Sequence, residues 1–137
     1  MIVFACQQRM TTCLSQVVTV LANMSAVSGC IGDITACHGV ELLVELLHEK
    51  PPDAATDAEL TACEHVQQKA AIALSRLCRD VSSAALVVSV GGVPRLVQLC
   101  RVASERNNSD AVLVSCLVSD VTCLVSDVSF IPMIEKY

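Results

Sequence analysis

The chain has 137 residues, enough for one domain with a sizeable core, and is 53% apolar with a formal net charge of −5. That charge excludes bulk binding of nucleic acid, which needs Lys and Arg to neutralise phosphates. Only Phe4, Phe130 and Tyr137 are aromatic, so burial falls to Leu, Val and Ala, which suits close-packed helices and leaves few rings to stack on bases or sugars.

The opening run MIVFACQQRM has too short an apolar stretch before Gln7, Gln8 and Arg9 for a secretory signal. In QQRMTTCLSQVVTVLANMS, residues Met10, Cys13, Val17, Val20, Leu21 and Met24 fall on one stripe, the spacing of a long amphipathic helix. Two shorter helical pieces follow, SGCIGDITAC (28–37) and VELLVELLHE (40–49), joined by a turn at Gly39. The stretch EKPPDAATDAEL (49–60), with two prolines and several Ala and Asp residues, reads as an inserted surface loop. Thr56 with Glu59 three positions on has the form of a capping box, as does Thr61 with Glu64.

The same order then returns. TACEHVQQKAAIALSRLC predicts a second long helix, VSSAALVVSV (81–90) a short one, and VPRLVQLCRVA (93–103) another, entered through Gly91 and Gly92. Pro94 fits a first helical turn, where its missing N–H has no partner to lose. An offset of fifty-three aligns His38 with Gly91, Gly39 with Gly92, Val40 with Val93, Leu43 with Leu96, Val44 with Val97 and Leu46 with Leu99. Upstream it sets Met10, Cys13, Val17, Val20, Leu21 and Met24 on Cys63, Val66, Ala70, Ala73, Leu74 and Leu77. A face shared over so long a stretch marks an internal repeat. A third unit starts in SERNNSDAVLVSCL (104–117) at an offset of forty-three, with Leu113 on Ala70 and Leu117 on Leu74. No alternating strand pattern occurs.

These units predict an all-α fold, a right-handed α-solenoid of armadillo type with about two full units and a partial third. The repeat domain is assigned to residues 1–117 and a low-complexity tail to 118–137, in which CLVSDV occurs at 116–121 and again at 123–128. The tail places Leu117, Val121, Leu124 and Val128 on one side of any helix it forms, and Pro132 ends such a helix.

Nine cysteines, none in a C-x-x-C pair, and three histidines without finger spacing give no metal-ligand pattern. They read as buried thiols acting as small hydrophobes in a reducing compartment; the count alone keeps a thiol-dependent metal or redox protein as an alternative. His65 and Glu64 are sequence neighbours, and neighbours on a helix do not face each other. Cys37-His38 has neither an acid partner nor an oxyanion-hole motif, so the reading is non-enzymatic, with no cofactor. The longest apolar stretch, at 84–93, falls well short of the ~20 residues of a membrane span. A cytoplasmic protein is expected.

The helix order, with GGVPRLVQLC opening the second helix of a unit and VLANMS or ALSRLC closing the third, resembles the armadillo repeat over residues ~7–117. More narrowly, ACEHVQQKAAIALSRLCRD (62–80) and CRVASERNNSDAVLVSCL (100–117) resemble the C-terminal armadillo region of Inscuteable-family proteins, with the polar SERNNSDAVLV run the most diagnostic part. After Leu117 the similarity ends. The resemblance implies a non-enzymatic adaptor at the cell cortex, linking the Par polarity complex to Pins/LGN-type adaptors that orient the spindle in asymmetric cell division. In that family the segment contacting Pins/LGN lies upstream of the armadillo region and has no counterpart in these residues. A generic armadillo module of the catenin or ubiquitin-ligase kind is the alternative within binding proteins.

Armadillo-type solenoids hold extended peptides along the long helix of each unit, frequently through an Asn. Here that position holds Asn23 in the first long helix but Arg76 in the second; four residues earlier, where importin-type grooves place Trp, stand Thr19 and Ile72. A nuclear-import groove is therefore not expected. The candidate partner-binding face comprises Gln16, Thr19, Asn23, Lys69, Ile72, Arg76 and Arg79. Lys69, Arg76 and Arg79 form a basic stripe that would attract an acidic or phosphorylated peptide through charge-assisted hydrogen bonds; the competing reading is a solvated helix face paired with Glu64 or Asp80. The first reading expects Arg76→Glu to abolish binding without lowering the melting temperature.

Overall fold

Three long helices, α1 (Ile2–Ser25), α4 (Asp57–Leu77) and α7 (Asp110–Ser126), alternate with two pairs of short ones, α2 (Ile31–Ala36) with α3 (Gly39–Leu46) and α5 (Val81–Ser89) with α6 (Gly92–Arg101). The computed structural model describes residues 2–126, with side chains placed from 13 to 119. Among these residues the fold is all-helical and contains no strand. Residues 127–137, including Pro132 and the end of the second CLVSDV, lie outside the described part. Helix α7 runs through Leu117 without a break and continues to Ser126.

Local chemistry sets the helix starts. Thr56 caps α4 in a reciprocal capping box: its Oγ1 accepts from the Glu59 N–H at 3.3 Å, and its own N–H donates to Glu59 Oε2 at 2.9 Å. Thr61 caps nothing. It lies one turn inside α4 and donates its hydroxyl to the Asp57 carbonyl at 2.9 Å, so the second expected box is not formed. The first box wins because the proline-containing stretch before it cannot be helical, whereas Thr61 already has four helical residues ahead of it. Asp80 caps α5, accepting from Ser83 N and Ser83 Oγ, both at 3.0 Å. Ser109 Oγ accepts from Val112 N at 3.3 Å at the start of α7.

The repeat is repeated in three dimensions at the joints between short helices. Both α3 and α6 are entered through a left-handed residue, His38 at φ 60° and Gly91 at φ 80°. The glycine after each is required by a close approach. A Cβ on Gly92 would lie 2.6 Å from Val87 Cγ1, and one on Gly39 would lie 2.8 Å from the Ile34 carbonyl oxygen and overlap the Ile34 side chain. Ile34 and Val87 are themselves fifty-three residues apart. The two glycines therefore answer one packing constraint that occurs twice.

Helix α4 is the centre of the molecule, packed between α1 and α7 and also against α3 and α5. Its inner surface is made of Ala70, Ala71, Ala73 and Leu74, all fully buried. Small residues there let neighbouring backbones approach, and the volume is filled from outside by Leu43, Leu47, Leu96 and Leu99, also fully buried. Each such leucine contributes about 1.5–3 kcal/mol relative to exposure.

Candidate partner-binding face

The candidate residues sit on two adjacent helices, α1 and α4, and the structure divides them into two groups. Gln16, Asn23 and Arg79 are exposed; Thr19, Lys69, Ile72 and Arg76 are half-buried. The half-buried set lies where α4 meets α1. Thr19 donates its hydroxyl to the Ser15 carbonyl at 2.7 Å and lies 3.1 Å from His65 Nε2. With the Thr19 proton committed, the imidazole is the donor. That assigns the neutral tautomer protonated at Nε2, in keeping with a His65 pKa held below its ordinary value by burial and then by the Lys69 charge.

Arg76 is the other tie. Its Nη1 donates to the Ala22 carbonyl oxygen, which also accepts from Ser25 Oγ at 2.7 Å. At the end of α1 the Ala26 N–H turns to Asn23 O at 3.3 Å, so Ala22 loses its usual helical donor. Arg76 replaces it with a charged group at the negative end of the α1 dipole. The side chain thus ties α4 to α1, a contact that the expectation of an unchanged melting temperature in Arg76→Glu did not include. Asp80, which the competing reading offered with Glu64 as a partner for the stripe, caps α5. Among the described residues no ion pair involves Lys69 or Arg79.

The largest polar cluster lies elsewhere and involves residues that sequence reasoning did not single out. Arg95, only 6% exposed, donates to the Leu47 carbonyl from Nε at 3.3 Å and Nη2 at 3.0 Å, and from Nη1 to Gln98 Oε1 at 2.8 Å and Glu105 Oε2 at 2.9 Å. Fully buried Gln67 donates to Leu47 O at 3.1 Å and to Glu105 O at 2.9 Å. Asn107 donates to Gln67 Oε1 at 2.9 Å and Glu49 O at 3.3 Å, and Lys50 reaches Glu105 Oε2 at 3.0 Å. Hydrogen bonds from Lys50 and Arg95 hold the Glu105 carboxyl below its ordinary range.

This cluster closes the turn after α3: the Glu45 and Leu46 carbonyls accept from the His48 and Glu49 N–H groups, and the Leu47 and Glu49 carbonyls beyond them accept from the side chains of Arg95, Gln67 and Asn107. The polar SERNN run is therefore a structural clamp that joins the short-helix pairs to α4. Asn107 and Asn108 turn the chain with φ of 54° and 56°, a conformation Asn tolerates better than most residues. One signal was available: Arg95 replaces the apolar Leu42 in the fifty-three-residue alignment, and a charge at a core position demands partners.

The cysteines offer little chemistry. Burial raises the Cys63 thiol to about 11, reinforced by the charges of Glu49, Glu59 and Glu64, so it is not a thiolate at neutral pH. Cys13, Cys30, Cys37, Cys63, Cys78, Cys100 and Cys116 form no disulfide. Among the described residues no group of three or more His, Cys, Asp or Glu is placed to hold a metal, and no single helix is long and apolar enough to cross a membrane.

Comparison with known proteins gives a match to the family model "Protein inscuteable C-terminal" over residues 1–129. That match runs beyond Leu117, where sequence reading ended the resemblance, and takes in α7 to its last described residue. Over 104 residues, 76% of the chain, the sequence is 53% identical to a protein inscuteable homolog of Mus musculus and 52% to one of Homo sapiens. The chain spans 18% of the length of each of these relatives. No solved structure matches.

Proposed function

The chain belongs to the Inscuteable C-terminal family, and from that premise we propose that it is a non-enzymatic protein-binding segment of an adaptor. The fold we assign is an armadillo-type right-handed solenoid with units α2–α3–α4 and α5–α6–α7, and we extend the repeat domain beyond the expected boundary at residue 117 because α7 continues to Ser126. Supporting this are the equal helix order of the two units, the left-handed entries at His38 and Gly91, and the matched packing of Ile34 on Gly39 and Val87 on Gly92.

The role we assign is a share in the family's own: in an adaptor that connects cortical polarity proteins to Pins/LGN-type adaptors in asymmetric cell division, in the cytoplasm at the cell cortex, this segment supplies a protein-binding surface other than the upstream Pins/LGN contact. The observation that carries it is the family match over residues 1–129. The surface we assign to a partner is the exposed edge of α1 and α4. Asn23 and Gln16 offer amides to a peptide backbone, and Lys69 and Arg79 offer charge to an acidic or phosphorylated segment. Thr19, Ile72 and Arg76 form its floor.

The test is recovery of polarity-complex proteins on the immobilised chain, compared with the Lys69→Glu/Arg79→Glu variant. Loss of recovery in the variant supports both role and surface. Equal recovery removes the surface, and no recovery by the native chain removes the role.

A further inference from the structure

Four hydroxyl side chains stand three residues after an arginine: Thr12 after Arg9, Ser82 after Arg79, Ser104 after Arg101 and Ser109 after Arg106. Protein kinases that take basic substrates read this spacing. Their cleft holds the chain extended, where three residues span about 10 Å, and its carboxylates pair with the guanidinium. So short a motif arises easily by chance, and the structure decides among the four. Thr12 lies in the middle of α1. Ser109 is 8% exposed and its Oγ already accepts from Val112 N at the start of α7. Ser82 is exposed but lies in the first turn of α5, and drawing it out would break the cap that Asp80 makes to Ser83. Ser104 is exposed and belongs to no α-helix. Val102 before it is extended, with φ −111° and ψ 106°, and Ser104 itself sits in a single 3₁₀ turn, Ala103–Arg106. That turn is closed by backbone bonds of 3.1 Å from Glu105 N to Val102 O and 3.3 Å from Asn107 N to Ser104 O. An isolated turn of this kind opens at less cost than a turn within an α-helix.

We propose that Ser104 is a phosphorylation site for an arginine-directed protein kinase, and that its phosphate acts on the polar clamp built around Glu105. In the transfer, Ser104 Oγ forms a bond to the γ-phosphorus of magnesium-bound ATP. The bond from that phosphorus to the bridging oxygen breaks, ADP leaves with the electron pair, and the hydroxyl proton passes to the base of the kinase. The proposal rests on this loop and not on the adaptor role.

The position of Ser104 gives the modification its consequence. A phosphoserine carries a charge of about −1.5 to −2 at neutral pH, and here it is set beside Glu105 in the chain. Glu105 Oε2 holds two cations, Arg95 at 2.9 Å and Lys50 at 3.0 Å. Arg95 is 6% exposed and is fixed to the Leu47 carbonyl and to Gln98 as well, so it cannot follow a new charge. The Lys50 side chain is 49% exposed, and its ammonium is free to swing on a flexible stem. The phosphate, with more charge and three acceptor oxygens, takes Lys50 from the carboxylate. Glu105 is then left to Arg95 alone, next to a like charge, and the turn after α3 loosens. Phosphorylation is thus a means of relaxing the joint between the short-helix pairs and α4.

The test is incubation of the full, folded chain with magnesium-ATP and a calcium- and calmodulin-dependent protein kinase, with the modified residue mapped by mass spectrometry. Phosphate is expected on Ser104 and absent from Ser104→Ala. Arg101→Ala, with circular dichroism confirming that it folds, should be modified about tenfold more slowly or worse, and Ser82→Ala should be modified at the native rate. On phosphorylation, hydrogen exchange at residues 45–50 should rise severalfold. Lys50→Ala should show that rise before phosphorylation and little more after it. No incorporation into the folded chain, incorporation at Thr12, Ser82 or Ser109 ahead of Ser104, or a rate indifferent to Arg101→Ala would overturn the site. Exchange at 45–50 unchanged by a phosphate on Ser104, or raised equally in Lys50→Ala, would overturn its action on the clamp.

Discussion

The guanidinium of Arg76 donates to the carbonyl oxygen of Ala22, fifty-four residues earlier in the chain. A residue that the repeat alignment offers as a ligand for peptide is thus a strut between consecutive long helices. Arg76→Glu is expected to cost about 2 kcal/mol, since a charge-assisted bond is lost and an acidic group is set at the negative end of a helix. Lys69→Glu is expected to stay within about 0.5 kcal/mol of the native chain. Thermal denaturation of the two variants separates strut from surface: equal melting temperatures would contradict the division.

The paired joints lead to opposite expectations for two neighbouring positions. Gly92→Ala places a methyl group against Val87 and is expected to destabilise by about 1–3 kcal/mol. His38→Gly is expected to stabilise by up to about 1 kcal/mol, because His38 holds a left-handed backbone, its ring is largely exposed, and Gly91 already occupies the equivalent position. Urea titrations read both, and a destabilised His38→Gly would mean that its 3.8 Å approach to Glu41 outweighs the backbone term.

Removing Arg95 would leave the Leu47 carbonyl and the Glu105 carboxylate without their main donor. Arg95→Ala is expected to cost about 3 kcal/mol, with the loss felt first where α3 ends. Hydrogen exchange at residues 45–50 should rise more than at α1. Protection that falls uniformly across the chain would show that the cluster has no local role.

Acid should destabilise the fold in two steps of the same sign. His65 is held below its ordinary value of 6.5, so the unfolded chain binds its proton more readily. That contribution is complete above about pH 6.5 and is lost as pH falls toward the lowered native value. Glu105 is held below its ordinary 4.5; its contribution is present above that value and is lost as pH falls through the native one. His65→Gln should reduce the first step, to which His48, lowered by burial and then by the Arg95 charge, also contributes, and Glu105→Gln should reduce the second, read as denaturation midpoint against pH. In Lys69→Glu the His65 resonance should titrate at higher pH, since a cation that lowers its pKa is gone.

Thiol reactivity should follow burial. At pH 8, exposed Cys13 and Cys37 are expected to react rapidly with a disulfide reagent, and Cys63, buried and raised to about 11, only on unfolding. Mass mapping of modified peptides after short exposure checks the order.

The helices were legible because each leaves a local mark. Thr56 with Glu59, Gly39 with Gly92, and the apolar stripes at helical spacing all act within a few residues of where they stand. The second candidate box at Thr61 misled for the same reason: the motif is local, but whether a helix has already begun there is decided by the chain before it. Gln16 and Asn23 are exposed, but that Arg76 is tied to α1 was not readable, because Ala22 and Arg76 are far apart in sequence.

By itself, then, the sequence determined the all-helical class, the order of long and short helices and the duplicated joints, since all of these depend on spacing along one chain. Only the tertiary structure decided that Arg76 is a strut, that Arg95 and the SERNN run close the turn after α3, and that Ser104 lies open while Ser109 is buried. These depend on which backbone carbonyl or helix face arrives opposite a side chain, and that is fixed by packing between elements rather than by spacing within one.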